Sequence, residues 1–153
     1  MALHYPAAVT DIPVLQLDPD LPIPTRARTS DAGLDLLARC DVVLAAGGGR
    51  ALVPTGLALE IPDGYAGLVL PRSGLALRHG VTCLNAPGLI DPGYRGEVGV
   101  ILVNTDPTER YEVHRGDRVA QLLVVSFETA TLVSAAALAD SERGDGGFGH
   151  TGR

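Results

Sequence analysis

Up to Gly116, glycine and proline interrupt this chain at short intervals, and that punctuation constrains its fold more than any other feature. There are 19 glycines and 11 prolines in 153 residues. The breaks include Pro19-Asp20, Gly47-Gly48-Gly49, Pro62-Asp63-Gly64, Pro92-Gly93 and Asp106-Pro107. Between them lie short apolar runs: VLQL, LDLLA, DVVL, RALVPTGLALEI, YAGLVLP, VTCL, EVGVILVN and RVAQLLVVSF. Runs of this length between turn residues suit strands, and no βαβ alternation is present. The expectation is an all-β sandwich or barrel. One helix fits the pattern, opening at Ser73 as N-cap and running through LALRH to Gly80 as the C-terminal glycine. SAAALADSE, near Ser134, suggests a second short helical turn. The length predicts one domain with a proper core and no linker.

Composition narrows the class of function. The net charge of −6 argues against a protein that follows a nucleic-acid backbone, which needs a basic stripe. It leaves a locally positive pocket open. Cys40 and Cys83 have no CxxC partner and no histidine at ligand spacing, so both read as buried small hydrophobes in a reducing compartment. The N-terminus MALHYPAAVT lacks a basic segment followed by an apolar one, and no apolar run is long enough to span a bilayer. A soluble, cytoplasmic protein without membrane or nucleic-acid partners is expected. His4, His79 and His114 share no ligand spacing and carry no assigned chemistry.

Two runs, Val98 to Val103 and Val119 to Val125, are apolar on both strand faces. A sandwich core covers only one face of each, so the second face points to a subunit interface. The end of the chain contrasts with them. Beyond Ser141 the sequence ERGDGGFGHTGR is glycine-rich and nearly without apolar residues. The expected organisation is a β-domain over 1–141 and a mobile arm over 142–153 that orders over a ligand.

Several clusters carry chemistry. GLIDPGYRGE, Gly88 to Glu97, places a carboxylate (Asp91) and a phenol (Tyr94) on a tight turn set by Pro92-Gly93. The flanking segments VTCLNAPGLI and GEVGVILVN read as the arms of a β-hairpin. PRSGLA sets Arg72, Ser73 and the amide of Gly74 at the start of the short helix, a combination suited to an anion. Gln121 stands inside an apolar strand, where a buried amide needs partners. The arm holds Arg143, Phe148, His150 and Thr151 among glycines. RGD occurs at Arg115 to Asp117 and again at Arg143 to Asp145; the first copy leads straight into an apolar strand, against an adhesion loop. No Walker glycine-lysine motif and no serine or cysteine with a paired histidine offers a covalent nucleophile, which leaves water activated by a carboxylate.

Together with DAGLDL (Asp31 to Leu36) and RGDRVAQLL (Arg115 to Leu123), these clusters resemble the five ordered motifs of trimeric dUTP diphosphatases, from about Asp31 to Gly152. The resemblance implies a jelly-roll-like β-fold and a homotrimer. Each of its sites takes the hairpin from one subunit, phosphate motifs from a second and the arm from a third. It implies hydrolysis of dUTP to dUMP and pyrophosphate by water attack on the α-phosphate. That reaction keeps uracil out of DNA and supplies dUMP for thymidylate synthesis. Asp91 corresponds to the base, Asp35 organises the arm arginine and the hydrated metal, and Gln121 meets the α-phosphate and the metal's waters. Mg²⁺ is expected to be held by phosphates and waters, with no direct protein ligand. Arg143 reaches the γ-phosphate, Phe148 stacks on uracil, and His150 and Thr151 donate to phosphate oxygens; some relatives carry Ser where His150 stands.

The same resemblance has uracil read by backbone along Gly88-Leu89-Ile90 and by the Asn85 amide, with a further backbone contact near Gly99. Tyr94 lies under the deoxyribose, where a 2′-hydroxyl clashes. The related dCTP deaminases share the fold, but their acid on the strand after the hairpin is replaced here by Ile101. The other alternative, a nucleotide-binding regulatory trimer without catalysis, leaves Asp91, Tyr94 and the arm without a task.

Overall fold

Each apolar run condenses into a strand, and the order in which the strands pair decides where the functional clusters meet. The computed structural model describes residues 10–142, 144 and 145. The strands are β1 (Val14–Gln16), β2 (Leu34–Leu37), β3 (Val42–Leu44), β4 (Arg50–Leu59), β5 (Tyr65–Leu70), β6 (Val81–Cys83), β7 (Gly88–Ile90), β8 (Glu97–Asn104), β9 (Tyr111–Val113) and β10 (Arg118–Ser126). One helix, α1 (Ser73–His79), follows β5. Two four-stranded sheets, β1-β4-β8-β6 and β2-β10-β5-β7, and the pair β3-β9 make up the fold, with every pairing antiparallel. Consecutive strands always belong to different sheets. This crossing pattern is that of an all-β, jelly-roll-like sandwich.

The alternation along β8 shows how the core forms. Val98, Val100 and Leu102 are buried, while Gly99 and Ile101 face outward and are half-buried. The inward residues pack with Val53 of β4, Leu36 of β2, and Val119 and Leu122 of β10 in one cluster drawn from both large sheets. On the outer face Leu52, opposite Ile101 in register, remains 65% exposed. The sequence expects both faces of this strand to be covered; among the described residues of one chain the outer face is covered only in part, with Val103 buried but Gly99 and Ile101 half-buried. Two buried polar side chains are satisfied. Asn104 donates to the carbonyls of Leu44 and Glu109, and Thr55 donates to Val98 O at 2.6 Å.

Four local expectations need correction. The segments around GLIDPGYRGE do not form one hairpin. β6 pairs with β8, but Gly88–Ile90 crosses to the other sheet and pairs with Gly67–Val69 of β5. Helix α1 has the expected extent and ends at Gly80 in the left-handed conformation (φ 64°), yet its N-cap is Arg72 in extended geometry, not Ser73. SAAALADSE forms no helix and is exposed throughout, with bends at Ala136 and Ala137 and a single turn beginning at Ser141. It has no neighbouring element to bury an apolar stripe, and a segment this short is not helical unaided. Cys40 is exposed, and only Cys83 is buried; burial raises the Cys83 thiol to about 11. Among the described residues no helix is long and apolar enough to cross a membrane.

Candidate active site

Sheet order brings three of the sequence clusters side by side. Asp35 on β2 stands opposite Gln121 on β10, and Gln121 stands opposite Leu70 at the end of β5. Pro71, Arg72 and α1 follow directly. DAGLDL, RGDRVAQLL and PRSGLA therefore converge at one end of this sheet.

The electrostatics there turn on Asp35, whose side chain is 19% exposed. Its carboxylate lies 3.7 Å from Arg72 Nε and 3.4 Å from Arg118 Nη1. Arg72 also donates to the Arg118 carbonyl at 2.7 Å, which ties the start of α1 to β10. The Arg72 and Arg118 guanidinium groups flank the Asp35 carboxylate beside an open cleft of about 400 Å³ lined by Ala27, Asp31, Ala32, Gly33, Asp35 and Gln121, so with Asp31 the two positive and two negative charges balance. Guanidinium groups in that position can meet phosphate oxygens. The Gln121 side chain lies against Gly33: a Cβ on Gly33 would meet its Oε1 at 3.3 Å. Asp31 closes a small turn, its carboxylate accepting the Arg28 N–H at 3.0 Å. Ser73 is exposed, and at Gly74 the missing Cβ leaves room for the Arg78 guanidinium.

The second cluster lies elsewhere. Gly88, Leu89 and Ile90 stand opposite Val69, Leu68 and Gly67, and the Asn85 amide packs on Gly88. Leu89 projects outward and Ile90 inward. The next loop is tied down on several sides. Tyr94 N–H donates to Asp91 O at 3.1 Å. Arg95 donates to the carbonyls of Pro92 and Tyr94, and pairs with Glu60 at 3.6 Å. Tyr94 Oη donates to Glu97 O at 2.9 Å, which folds the ring over Gly96. Asp91 sits on this restrained loop, exposed, its carboxylate making no hydrogen bond or ion pair with the described residues. Gly99 lies on β8 in the other sheet, opposite Pro54 and covered by Leu52, apart from Gly88–Ile90.

The two clusters do not meet within one chain. Asp35 and Asp91 are three strands apart across β2-β10-β5-β7, and Asp91 follows the β7 residue paired with Gly67 while Gln121 pairs with Leu70. At ordinary strand spacing and rise the separation is roughly 15–20 Å. Arg143, Phe148, His150 and Thr151 lie outside the described residues. Sequence reasoning overlooked Arg118 and Gly33. Arg118 stands three residues before Gln121, and a cation so near a strand amide was the available signal; nothing local marks Gly33. The first RGD is structural: Arg115 pairs with Asp18, and the Asp117 carboxylate accepts the His114 N–H at 2.8 Å.

Comparison with known proteins bears on the family and the fold. A family model described as dUTPase matches residues 20–152. The deoxyuridine 5′-triphosphate nucleotidohydrolase of Thermobifida fusca is 55% identical over 141 residues, covering 92% of this chain and 78% of that protein. That of Mycobacterium leprae is 54% identical over 148 residues, covering 94% and 96%. Among solved structures, a Staphylococcus bacteriophage 80alpha dUTPase with dUPNHPP superimposes with a TM-score of 0.84 at 28% identity, covering 95% of this chain and all of that one. A mutant dUTPase from phage phi11 of S. aureus, described with a structural Mg(II) ion, gives 0.74 at 26% identity, covering 84% and 98%.

Proposed function

The chain belongs to the dUTPase family, and from that membership we propose how its geometry hydrolyses dUTP to dUMP and pyrophosphate. The observation that carries the mechanism is Asp91, an exposed carboxylate on a loop fixed by Tyr94 and Arg95. As general base it removes a proton from water. The water oxygen bonds to the α-phosphorus, the bond from that phosphorus to the bridging oxygen breaks, and pyrophosphate leaves. Arg72, Ser73 and Gly74 take phosphate oxygens, Gln121 meets the α-phosphate, and Asp35 holds Arg72 in place. Gly88, Leu89, Ile90 and Asn85 read uracil, and Tyr94 packs under the sugar. The expected backbone contact from Gly99 is the part of this reading that the geometry of one chain does not support, since Gly99 lies in the other sheet opposite Pro54.

The separation of the two clusters supports a homotrimer in which the Asp91 loop of one chain faces the Asp35–Arg72 cleft of another. The half-covered outer face of β4 and β8, with Leu52 and Ile101, supports burial between chains. The arm, residues 142–153, closes over the nucleotide with Arg143, Phe148, His150 and Thr151. Asp35 and Gln121, opposite one another in register, fit a Mg²⁺ held through waters and substrate phosphates. When bound, Mg²⁺ neutralises phosphate charge. We place the protein in the cytoplasm.

A deaminase reading is disfavoured because β8 turns Val98, Val100 and Leu102 into the core and Ile101 outward, leaving no acid along that strand after Glu97. The test is pyrophosphate release from dUTP, dTTP, dCTP and UTP, each with and without Mg²⁺. Rapid release from dUTP alone, dependent on Mg²⁺, is expected. Equal release from dTTP, or ammonia from dCTP, would contradict the reading.

A further inference from the structure

Four charged side chains that the proposed mechanism does not use, Asp18, Arg39, Arg115 and Glu97, form a string of ion pairs that ends at Glu97, whose carbonyl accepts the Tyr94 hydroxyl. Arg115 pairs with Asp18 through both terminal nitrogens and donates to the Arg39 carbonyl at 2.8 Å. Arg39 Nε lies 3.6 Å from Asp18, and Arg39 Nη1 lies 3.3 Å from Glu97 Oε2. The Glu97 carboxylate also accepts the Gly56 N–H at 2.7 Å. Gly56 (φ 73°) sits in the irregular stretch of β4 between Pro54 and Ala58, where the ladder to β8 is broken. At this point side chains replace the missing ladder bonds: Glu97 serves Gly56, and Thr55 serves Val98 O.

Tyr94 depends on this junction. The residue is 46% exposed and its ring lies over Gly96, which has no side chain to grip it, so packing holds the ring only loosely. Among the described residues its hydroxyl has one partner, the carbonyl of Glu97. Without that bond the exposed side chain is free to sample other rotamers. The ring is therefore placed only as well as residue 97 is placed.

We propose that Glu97, fixed by Arg39 and the Gly56 N–H, is a positioning residue for Tyr94 and through it sets selectivity for the deoxyribose. The inference rests on the reading that Tyr94 meets the sugar. The test compares kcat/KM for dUTP and UTP in the assembled full-length protein and in Tyr94→Ala, Tyr94→Phe, Glu97→Ala, Glu97→Gln and the Tyr94→Phe/Glu97→Ala double variant. Tyr94→Phe and Glu97→Ala should each lower the dUTP:UTP ratio by roughly three- to tenfold, the worth of one hydrogen bond. The double variant should fall no further, since both changes remove one link. Glu97→Gln keeps an acceptor for Gly56 and should recover most of the ratio. Glu97→Ala that melts earlier but keeps the wild-type ratio would overturn the inference, as would additive losses in the double variant. An unchanged ratio in Tyr94→Ala would instead sink the sugar reading itself. If Glu97→Ala fails to fold, Arg39→Gln carries the same comparison, again expected to match and not to add to Tyr94→Phe.

Discussion

Asp91 and Gly33 show how one atom decides a residue's role. Asp91 combines an exposed carboxylate with a loop tied by local hydrogen bonds from the Tyr94 N–H and the Arg95 guanidinium. On the proposed mechanism Asp91→Asn keeps shape and removes the base, so turnover of dUTP should fall by roughly two to four orders of magnitude with binding little changed. Steady-state pyrophosphate release and nucleotide titration check this together. Gly33 acts by absence. A methyl group there would press on Gln121 Oε1 at 3.3 Å and on Gln121 Cβ and Cδ at 3.4 Å. Gly33 is not among the residues with positive φ, so alanine is conformationally acceptable and should leave the melting temperature equal or slightly higher. Turnover should fall, because the amide is displaced from the cleft. A Gly33→Ala variant with lowered stability and full activity would refute that view. Asp91 and Gln121 stand out in the sequence as candidates because a carboxylate between turn residues and an amide in an apolar strand are each out of place locally. Arg118 does not, since its meaning comes from Asp35, distant in sequence.

At the scale of elements, local signals located the strands but not their partners. Gly80 marked the end of α1, and runs such as EVGVILVN became strands with little change of boundary. The pairing of β7 escaped the sequence reading because adjacent strands never pair in this fold; a hairpin is the cheapest guess for neighbours, and tertiary packing overrode it. The N-cap at Arg72 escaped for a similar reason, since Asp35 and the Arg118 carbonyl fix that residue from other strands. The loops also carry a pH dependence. Hydrogen bonding from Arg115 holds the Asp18 carboxyl below its usual value of 3.8, and the N–H groups of Glu109 and Thr108 do the same for Asp106. Carboxyls lowered in the folded state stabilise it fully above the unfolded value and lose that contribution as pH falls through the folded one. The melting temperature should therefore drop progressively below pH about 4. Asp18→Asn should melt lower at neutral pH and show a shallower acid loss; parallel curves for the two proteins would contradict the assignment.

For the whole molecule, register separates Asp91 from the Asp35–Arg72 cleft, and on the proposed mechanism that makes a single chain an incomplete catalyst. Ending the chain at Ser141 removes no described core residue, and the truncated protein should keep its fold and assembly while losing turnover. A monomeric or unfolded product would make the arm a structural element. The division of labour between chains is the central claim. It is tested most directly by unfolding Asp91→Asn and Arg72→Ala variants together and refolding the mixture. Each alone should be nearly inactive. If every site takes its base from one chain and its phosphate cleft from another, random assembly leaves about a quarter of the sites intact, and dUTP hydrolysis should return to about a quarter of the wild-type rate. A mixture as inactive as its parents would show that both residues must lie on the same chain, and would contradict the shared site.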